Sequence, residues 1–390
     1  MHKRGYKAIP YLVAVIVLIL AAVFLIPEKS AHVYKEMLPP LPEIVKTQVN
    51  LKAAGDNLIH NSIYEQAYSR GSGSYDFSYA YKNVSDIISS GDISLLNQET
   101  VMTPLYEPST YPRFNSPIEL KNEMLKIGFD VFNQANNHTL DKGEKGIISA
   151  LEEWKKTPEA LVTGVYKNEE DYSQIRRKNV NGIEFAFIGM TELTNGLSLP
   201  EGSEVVLLRT FEEDKIKARI EKAKTFADVV VVNVHWGVEY SHTPNSAQKK
   251  LAQKMADWGA DLIVGHHPHV LQPIEWLEAT DGRDVLCAYS LGNFISAQSM
   301  GPRMVGGVLD VAFSKNNLLK NPRIVSAKLI PIVTHYDRGY KNIRIYPFSE
   351  YSKELAQSHG VRAYDETFNY NYIENMLKKV IGEDFLDIDF

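Results

Sequence analysis

The stretch ADLIVGHHPHVLQ, Ala260 to Gln272, decides how the rest of the chain is read. Leu262, Ile263 and Val264 form an apolar, partly β-branched run of the kind found in strands buried on both faces. Gly265 breaks the run, and His266, His267 and His269 follow. In an extended or turning segment, residues two apart point the same way. His267 and His269 are therefore expected to face one point, with Pro268 stiffening the link. Neutral imidazole is the commonest metal ligand among side chains. A His-rich surface turn is the plainer reading, but four other strand ends here carry similar polar clusters.

Working outward, QVNLKAAGD (Gln48 to Asp56) reads as a strand ending at Gly55-Asp56. Ile93 to Leu96 is followed by Asn97-Gln98-Glu99. Phe129 to Phe132 runs into QANNHTLDKG, which carries Asn136, Asn137, His138 and Asp141. Val229 to Val234 ends at His235-Trp236-Gly237, with Glu239 just beyond. Between these strands lie helical patterns. Ile216, Ile220, Ala223 and Ala227 share one face, as do Ala247, Leu251, Met255 and Trp258, which Gly259 terminates. Ser116 with Glu119, and Thr210 with Glu213, predict two capping boxes. VLCAYSLGNF (Val285 to Phe294) and GGVLDVAFS (Gly306 to Ser314) are expected strands. Alternating helices and doubly buried strands over residues 47 to 315 predict an α/β fold. From Leu329 the pattern changes, and 329–390 reads as a C-terminal extension with a last helix near Tyr372 to Ile381.

In open α/β sheets, sites form outside the carboxyl ends of strands. Asp56, Glu99, Asn137, His235, His267 and His269 mix carboxylate, amide and imidazole, which suits a divalent ion such as Mn, Zn or Fe. They are enough for two ions sharing a bridging carboxylate. Asn97, Asn136, Asp141, Glu239 and Asn293 are candidates for orienting ligands or touching substrate. Plainer roles stand beside these. Asp56 fits a turn, Asn136-Asn137 an Asx turn, Asp141 a helix cap and Glu239 an exposed loop. His266 reads as structural and Trp236 as a packing wall.

Composition sets the bounds. The chain has 390 residues, 44% hydrophobic and 23% charged, which suits a large folded domain. A formal charge of -6 offers no hint of nucleic-acid binding. The single cysteine, Cys287, allows no internal disulfide and no Cys-rich zinc site, and its apolar surroundings predict core packing. Ala8 to Ile26 contains no charged residue and would span about 28 Å as a helix. Lys3, Arg4 and Lys7 precede it, so residues 1–7 are expected in the cytoplasm, 8–26 across the membrane, and everything after Pro27 outside. A cleaved secretory signal is the rival. Residues 27–46, with four prolines, read as a tether.

The series GD, NxE, ANNHxxDxG, HWGxE, GHHPHVLQ and YSLGNF resembles the poly-γ-glutamate capsule biosynthesis proteins of the CapA/PgsA type, within the calcineurin-like metallophosphatase superfamily. The resemblance covers roughly Thr47 to Phe313. It implies a two-sheet αββα sandwich, a domain over 47–328, and metals at the strand carboxyl ends. It also implies Asp56 at the first metal-binding strand end, Glu99 as the bridging ligand and Asn137 as the amide ligand. His138 would be the acid that protonates a leaving group, His235 a ligand of the second ion, and His267 and His269 would complete the pair. Two departures stand out. Asp56 is followed by Asn57 and Leu58 rather than x-His, and NQE follows the second strand where GDxxD is usual. The implied function is a membrane-anchored extracellular metal-binding protein of capsule polymer synthesis, export or processing. Its implied partners are the anionic polymer or its precursor, membrane synthase subunits and the cell membrane. With no P-loop motif, the chain is not expected to be the ATP-using ligase. The alternatives are a surface metal-dependent phosphodiesterase or nucleotidase, and a non-catalytic scaffold of the synthase complex.

Overall fold

The computed structural model describes residues 46–316 and 321–388, so the expected cytoplasmic tail and membrane helix, and all but the last residue of the tether, lie outside the described residues. In chain order the strands are β1 (Lys46–Asn57), β2 (Ile93–Asn97), β3 (Val131–Asn133), β4 (Leu161–Thr163), β5 (Val165–Tyr166), β6 (Arg176–Val180), β7 (Ile183–Thr191), β8 (Val206–Leu207), β9 (Val229–His235), β10 (Leu262–His266), β11 (Ile274–Glu278), β12 (Asp284–Ala288), β13 (Asn293–Ile295), β14 (Val305–Asn316), β15 (Arg323–Asp337) and β16 (Lys341–Pro347). One sheet has the order β16-β15-β14-β1-β2-β3-β4, with β13 paired to β1. The other has the order β11-β12-β10-β9-β7-β6, and β5 pairs with β8. Strands β1 to β4 run parallel, as do β7, β9, β10 and β12, so each sheet gathers several carboxyl ends at one edge.

Period-two alternation builds the layers. In β9, Val229 and Val231 join the larger core shared by both sheets, while Val230, Val232 and Val234 join a second core. That second core is completed by Ile216, Ile220 and Ala223 of the Glu213–Lys224 helix and Leu251, Ala252 and Met255 of the Ser246–Trp258 helix. Strands buried on both faces cannot alternate apolar with polar, hence the continuous VVVV run. Phe185 of β7 meets Phe313 of β14 edge-on at 5.3 Å, one contact that joins the two sheets. Behind the other sheet, Trp154 of the Gly143–Lys155 helix lies 4.5 Å from the Phe132 ring. Cys287 is fully buried in the second core, in agreement with a packing role.

Four expectations need correction. Val285 to Phe294 is not one strand: β12 belongs to one sheet and β13 to the other, and the chain crosses between them at Gly292, whose φ is 65°. The Ser116 capping box does not form. Ser116 Oγ instead bonds Thr100 Oγ1 at 2.7 Å, and the helix starts at Glu119 without a side-chain cap. Thr210 does not cap either, because Glu212 precedes that helix and accepts from the Arg209 amide. The real capping box is Asn245 with Gln248. Finally, a boundary at 328/329 falls inside β15, which pairs antiparallel with β14 and β16, and the described residues form one compact unit. The change of pattern at Leu329 marks a switch from parallel crossovers to hairpins, which need no intervening helix.

Candidate metal centre

Backbone geometry aims the ligands. At the end of β1 the register shifts beside Gly55, and the Asp56 amide donates to Gly292 O at 2.9 Å. A Cβ on Gly55 would lie 1.9 Å from that oxygen, so only glycine allows the approach. Gly265 is held equally tightly, its would-be Cβ 2.0 Å from Tyr289 O. Beyond β10, His267 and His269 have φ of 98° and 58°. Of the two forms expected, extended or turning, the segment takes a left-handed turn, a strained conformation for residues with a side chain. The two rings still converge, with centroids 6.0 Å apart.

All six expected ligands meet. His269 Nδ1 stands 3.0 Å from Asp56 Oδ2, and its Nε2 stands 3.6 Å from Glu99 Oε1. His235 Nε2 is 3.7 Å from the same Glu99 oxygen, 3.0 Å from Asn137 Oδ1 and 3.1 Å from His267 Nδ1. Donor atoms about 2.1 Å from one ion stand roughly 3.0 to 3.4 Å apart, so most of these spacings match a shared coordination sphere. Glu239, exposed at the rim, can join His267 and His269 around a single ion.

Glu99 provides the test of fit. It is fully buried, and among the described residues neither carboxylate oxygen has a hydrogen-bond partner. An isolated buried carboxylate is costly unless a cation meets it. Burial, with Asp56 nearby, pushes its carboxyl well above the usual range. Burial alone would also raise Asp56, but the His269 hydrogen bond and charge outweigh it and hold Asp56 low. Burial would lower His269, yet Glu99 and Asp56 hold it up at about 9. His267, by contrast, is held at about 4 by burial and by His269, and His235 is pushed well below its usual value for the same reasons. Both therefore stay neutral, the form that binds metal.

Neighbouring amides hold this arrangement. Asn97 donates to Asp56 Oδ1 at 2.7 Å and accepts from Asn133 at 2.8 Å. Asn293 Oδ1 lies 3.0 Å from His269 Nδ1. Asn136 makes the Asx turn, its Oδ1 accepting from the His138 amide, while Asn137 reaches the centre. Asp141 does not cap the following helix. Its Oδ2 lies 2.8 Å from His138 Nδ1 and accepts from the Phe114 amide at 2.7 Å. With Nδ1 so engaged, Nε2 is the nitrogen that His138 has free for chemistry. His138 lines a cleft of about 390 Å³ with Asn137, Asp141, Asn195, Arg113 and Glu239. His266 is buried without a hydrogen-bond partner among the described residues, its Nδ1 3.8 Å from Asp56 Oδ1. Trp236 packs, donating Nε1–H to Tyr289 O.

Sequence reasoning missed Asn133, Asn195 and Tyr240. Asn133 sits at the end of β3 within the same polar run as Asn137, so its position was a usable signal. Asn195 and Tyr240 lie on loops, where no periodicity marks a residue. His60, the next imidazole after Asp56, is half-buried and accepts from the Ala297 amide.

The chain can now be set beside known proteins. Residues 50–298 match the family model described as "Bacterial capsule synthesis protein PGA_cap". The PGA biosynthesis protein CapA of Bacillus subtilis is 37% identical over 202 residues, covering 50% of this chain and 51% of that protein. The capsule biosynthesis protein CapA of Bacillus anthracis is 33% identical over 306 residues, covering 76% and 71%. This chain thus spans about half the length of the first relative. Among solved structures, the NAD nucleotidase of Haemophilus influenzae aligns with a TM-score of 0.43 at 13% identity, covering 88% of this chain and 57% of that one. With a family model matched over more than half its length, the chain belongs to the bacterial capsule synthesis protein family, of the CapA type.

Proposed function

We propose that this protein binds divalent cations, two of them sharing Glu99, and acts from the outer face of the cell membrane in the synthesis, export or processing of poly-γ-glutamate or a similar anionic capsule polymer. The buried Glu99 carboxylate, without a hydrogen bond among the described residues and ringed by Asp56, His235 and His269, carries the metal part of this reading. The named roles of the Bacillus relatives support the polymer part. The anchoring rests on the uncharged run Ala8 to Ile26 preceded by three basic residues. A bound divalent pair polarises an ester or amide oxygen and lowers the pKa of bound water. Around it, Asp56, Glu99, Asn137, His235, His267 and His269 would hold the ions. His138, oriented by Asp141, would offer Nε2 to a leaving group. The sandwich of two sheets with helices outside both is the metallophosphatase-like arrangement that this chemistry favours.

The test pairs elemental analysis of the purified protein with polymer output in cells. Wild type is expected to carry metal, and the double substitution His267→Ala, His269→Ala to lose both metal and polymer. Metal-free wild type, together with undiminished polymer from the double variant, defeats the proposal.

A further inference from the structure

Two guanidinium groups beside the centre meet no carboxylate among the described residues. Arg113 is exposed and lines the cleft with Asn137, His138, Asn195 and Glu239. Its main-chain carbonyl accepts from Ser109 and Lys142, but among the described residues its guanidinium meets no acceptor or carboxylate. Arg303 is half-buried, with Cζ 3.4 Å from the centroid of the Tyr240 ring. It too meets no carboxylate among the described residues. Tyr240 links it to the centre. The Tyr240 ring lies 6.2 Å from that of His269, and Tyr240 follows Glu239, whose charge acts on its hydroxyl. Tyr240 also holds a φ of 68°, an unfavourable backbone state for a bulky residue.

Arg303 is not left to wander. Asn293 Nδ2, on the residue that touches His269, donates to Arg303 O at 2.9 Å. Tyr336 Oη of β15 donates to Gln298 O at 2.9 Å, and Asp365 Oδ2 accepts from the Gly301 amide at 3.1 Å. The C-terminal region, whose purpose the motifs left open, thus braces the segment that carries Arg303. An arginine held over an aromatic ring keeps N–H donors for an oxyanion, and being held already it loses less entropy on binding. Lysine would offer only a mobile point charge.

We propose that Arg303 and Arg113 form an oxyanion-recognition pair that draws a polyanionic chain across the metal centre, each guanidinium taking one carboxylate or phosphate group. The choice of a polymer as occupant rests on the function proposed above, whereas the arginine geometry does not. The test measures binding of three probes to the full-length, Mn-loaded protein: a γ-linked glutamate oligomer, its neutral γ-linked glutamine counterpart, and polyphosphate. Arg303→Gln and Arg113→Gln are each expected to weaken glutamate-oligomer binding by about tenfold, with metal content and melting temperature unchanged. Arg303→Lys recovers only part of the loss. The neutral oligomer binds weakly and alike to all variants. Arginine-dependent binding of polyphosphate, with none of the glutamate oligomer, keeps the pair and sinks the polymer reading. Binding of neither anion by wild type, or binding that neither substitution changes, overturns the pair itself.

Discussion

Glu99 shows why one residue can carry so much of the argument. A carboxylate with no donor in reach is tolerable inside a protein only if a proton or a cation sits on it. In the metal-free state, at least one proton resides in the Asp56–His269–Glu99 group at neutral pH, because His269 is held at about 9 and Glu99 is raised. A metal ligand must be deprotonated, so loading expels that proton. Metal affinity is therefore expected to rise with pH up to about 9, and metal added to weakly buffered apoprotein should acidify it. A flat affinity over that range contradicts the assignment. Glu99→Gln is expected to weaken metal binding beyond the roughly 10- to 100-fold that changes behind a ligand cost, without lowering the melting temperature of the apoprotein. Asn97→Ala, which removes the donor to Asp56, should fall within that 10- to 100-fold range, as read by competition with a chelating dye.

At the scale of elements, the helix starts separate rule from context. Ser-x-x-Glu favours a capping box in an isolated helix, yet Ser116 is claimed by the Thr100 hydroxyl in a buried pair. Asn245 caps with both reciprocal bonds made, its Oδ1 accepting from the Gln248 amide at 2.9 Å. Asn245→Ala is expected to lower stability by about 1 kcal/mol and Thr210→Ala by far less, measured by urea denaturation. Equal losses would mean that the caps are not what holds these helices. The crossing from β12 to β13 obeys the same lesson. Nothing apolar changes along VLCAYSLGNF, but the left-handed Gly292 turns the chain into the neighbouring sheet and brings Asn293 opposite Asp56. Gly55→Ala sets a methyl against Gly292 O and is expected to cost about 3 kcal/mol, with metal binding lost alongside.

For the whole molecule, acid is the expected weakness. His60 and His335 are held at about 4, and His359 at about 3, chiefly by burial. Unfolded, each would take a proton near 6.5, so the unfolded chain binds more protons below that pH. Stability contributed by the neutral imidazoles is present above about 6.5 and is lost as pH falls through the window to about 4. Urea midpoints across that range should show the fall, with a shallower slope in His359→Gln. His359 sits among His335, Tyr336 and Phe368, away from the metal ligands, so the effect belongs to the fold rather than to the site.

Much of this was legible in advance. The strands running to Asp56, Asn97 and His235, the two-faced apolar runs and the helix stop at Gly259 follow from local chemistry, since burial fixes the residue type and glycine marks the turn, whereas β10 runs through Gly265 to His266 instead of breaking there. The ligand types were legible too, because carboxylate, amide and imidazole gathered at strand ends have few structural uses. Which sheet each strand joins was not legible, nor the left-handed turn that aims His267 and His269, nor the Arg303–Tyr240 stack. Those depend on atoms distant in sequence, such as Gly292 O above Gly55 or Asp365 beneath Gly301, meeting only after the sheets have packed. Local sequence determines which groups are present and how each short segment prefers to bend. Only the packed sandwich decides which of them share a centre, because long-range contact is paid for by burial that no single segment can supply.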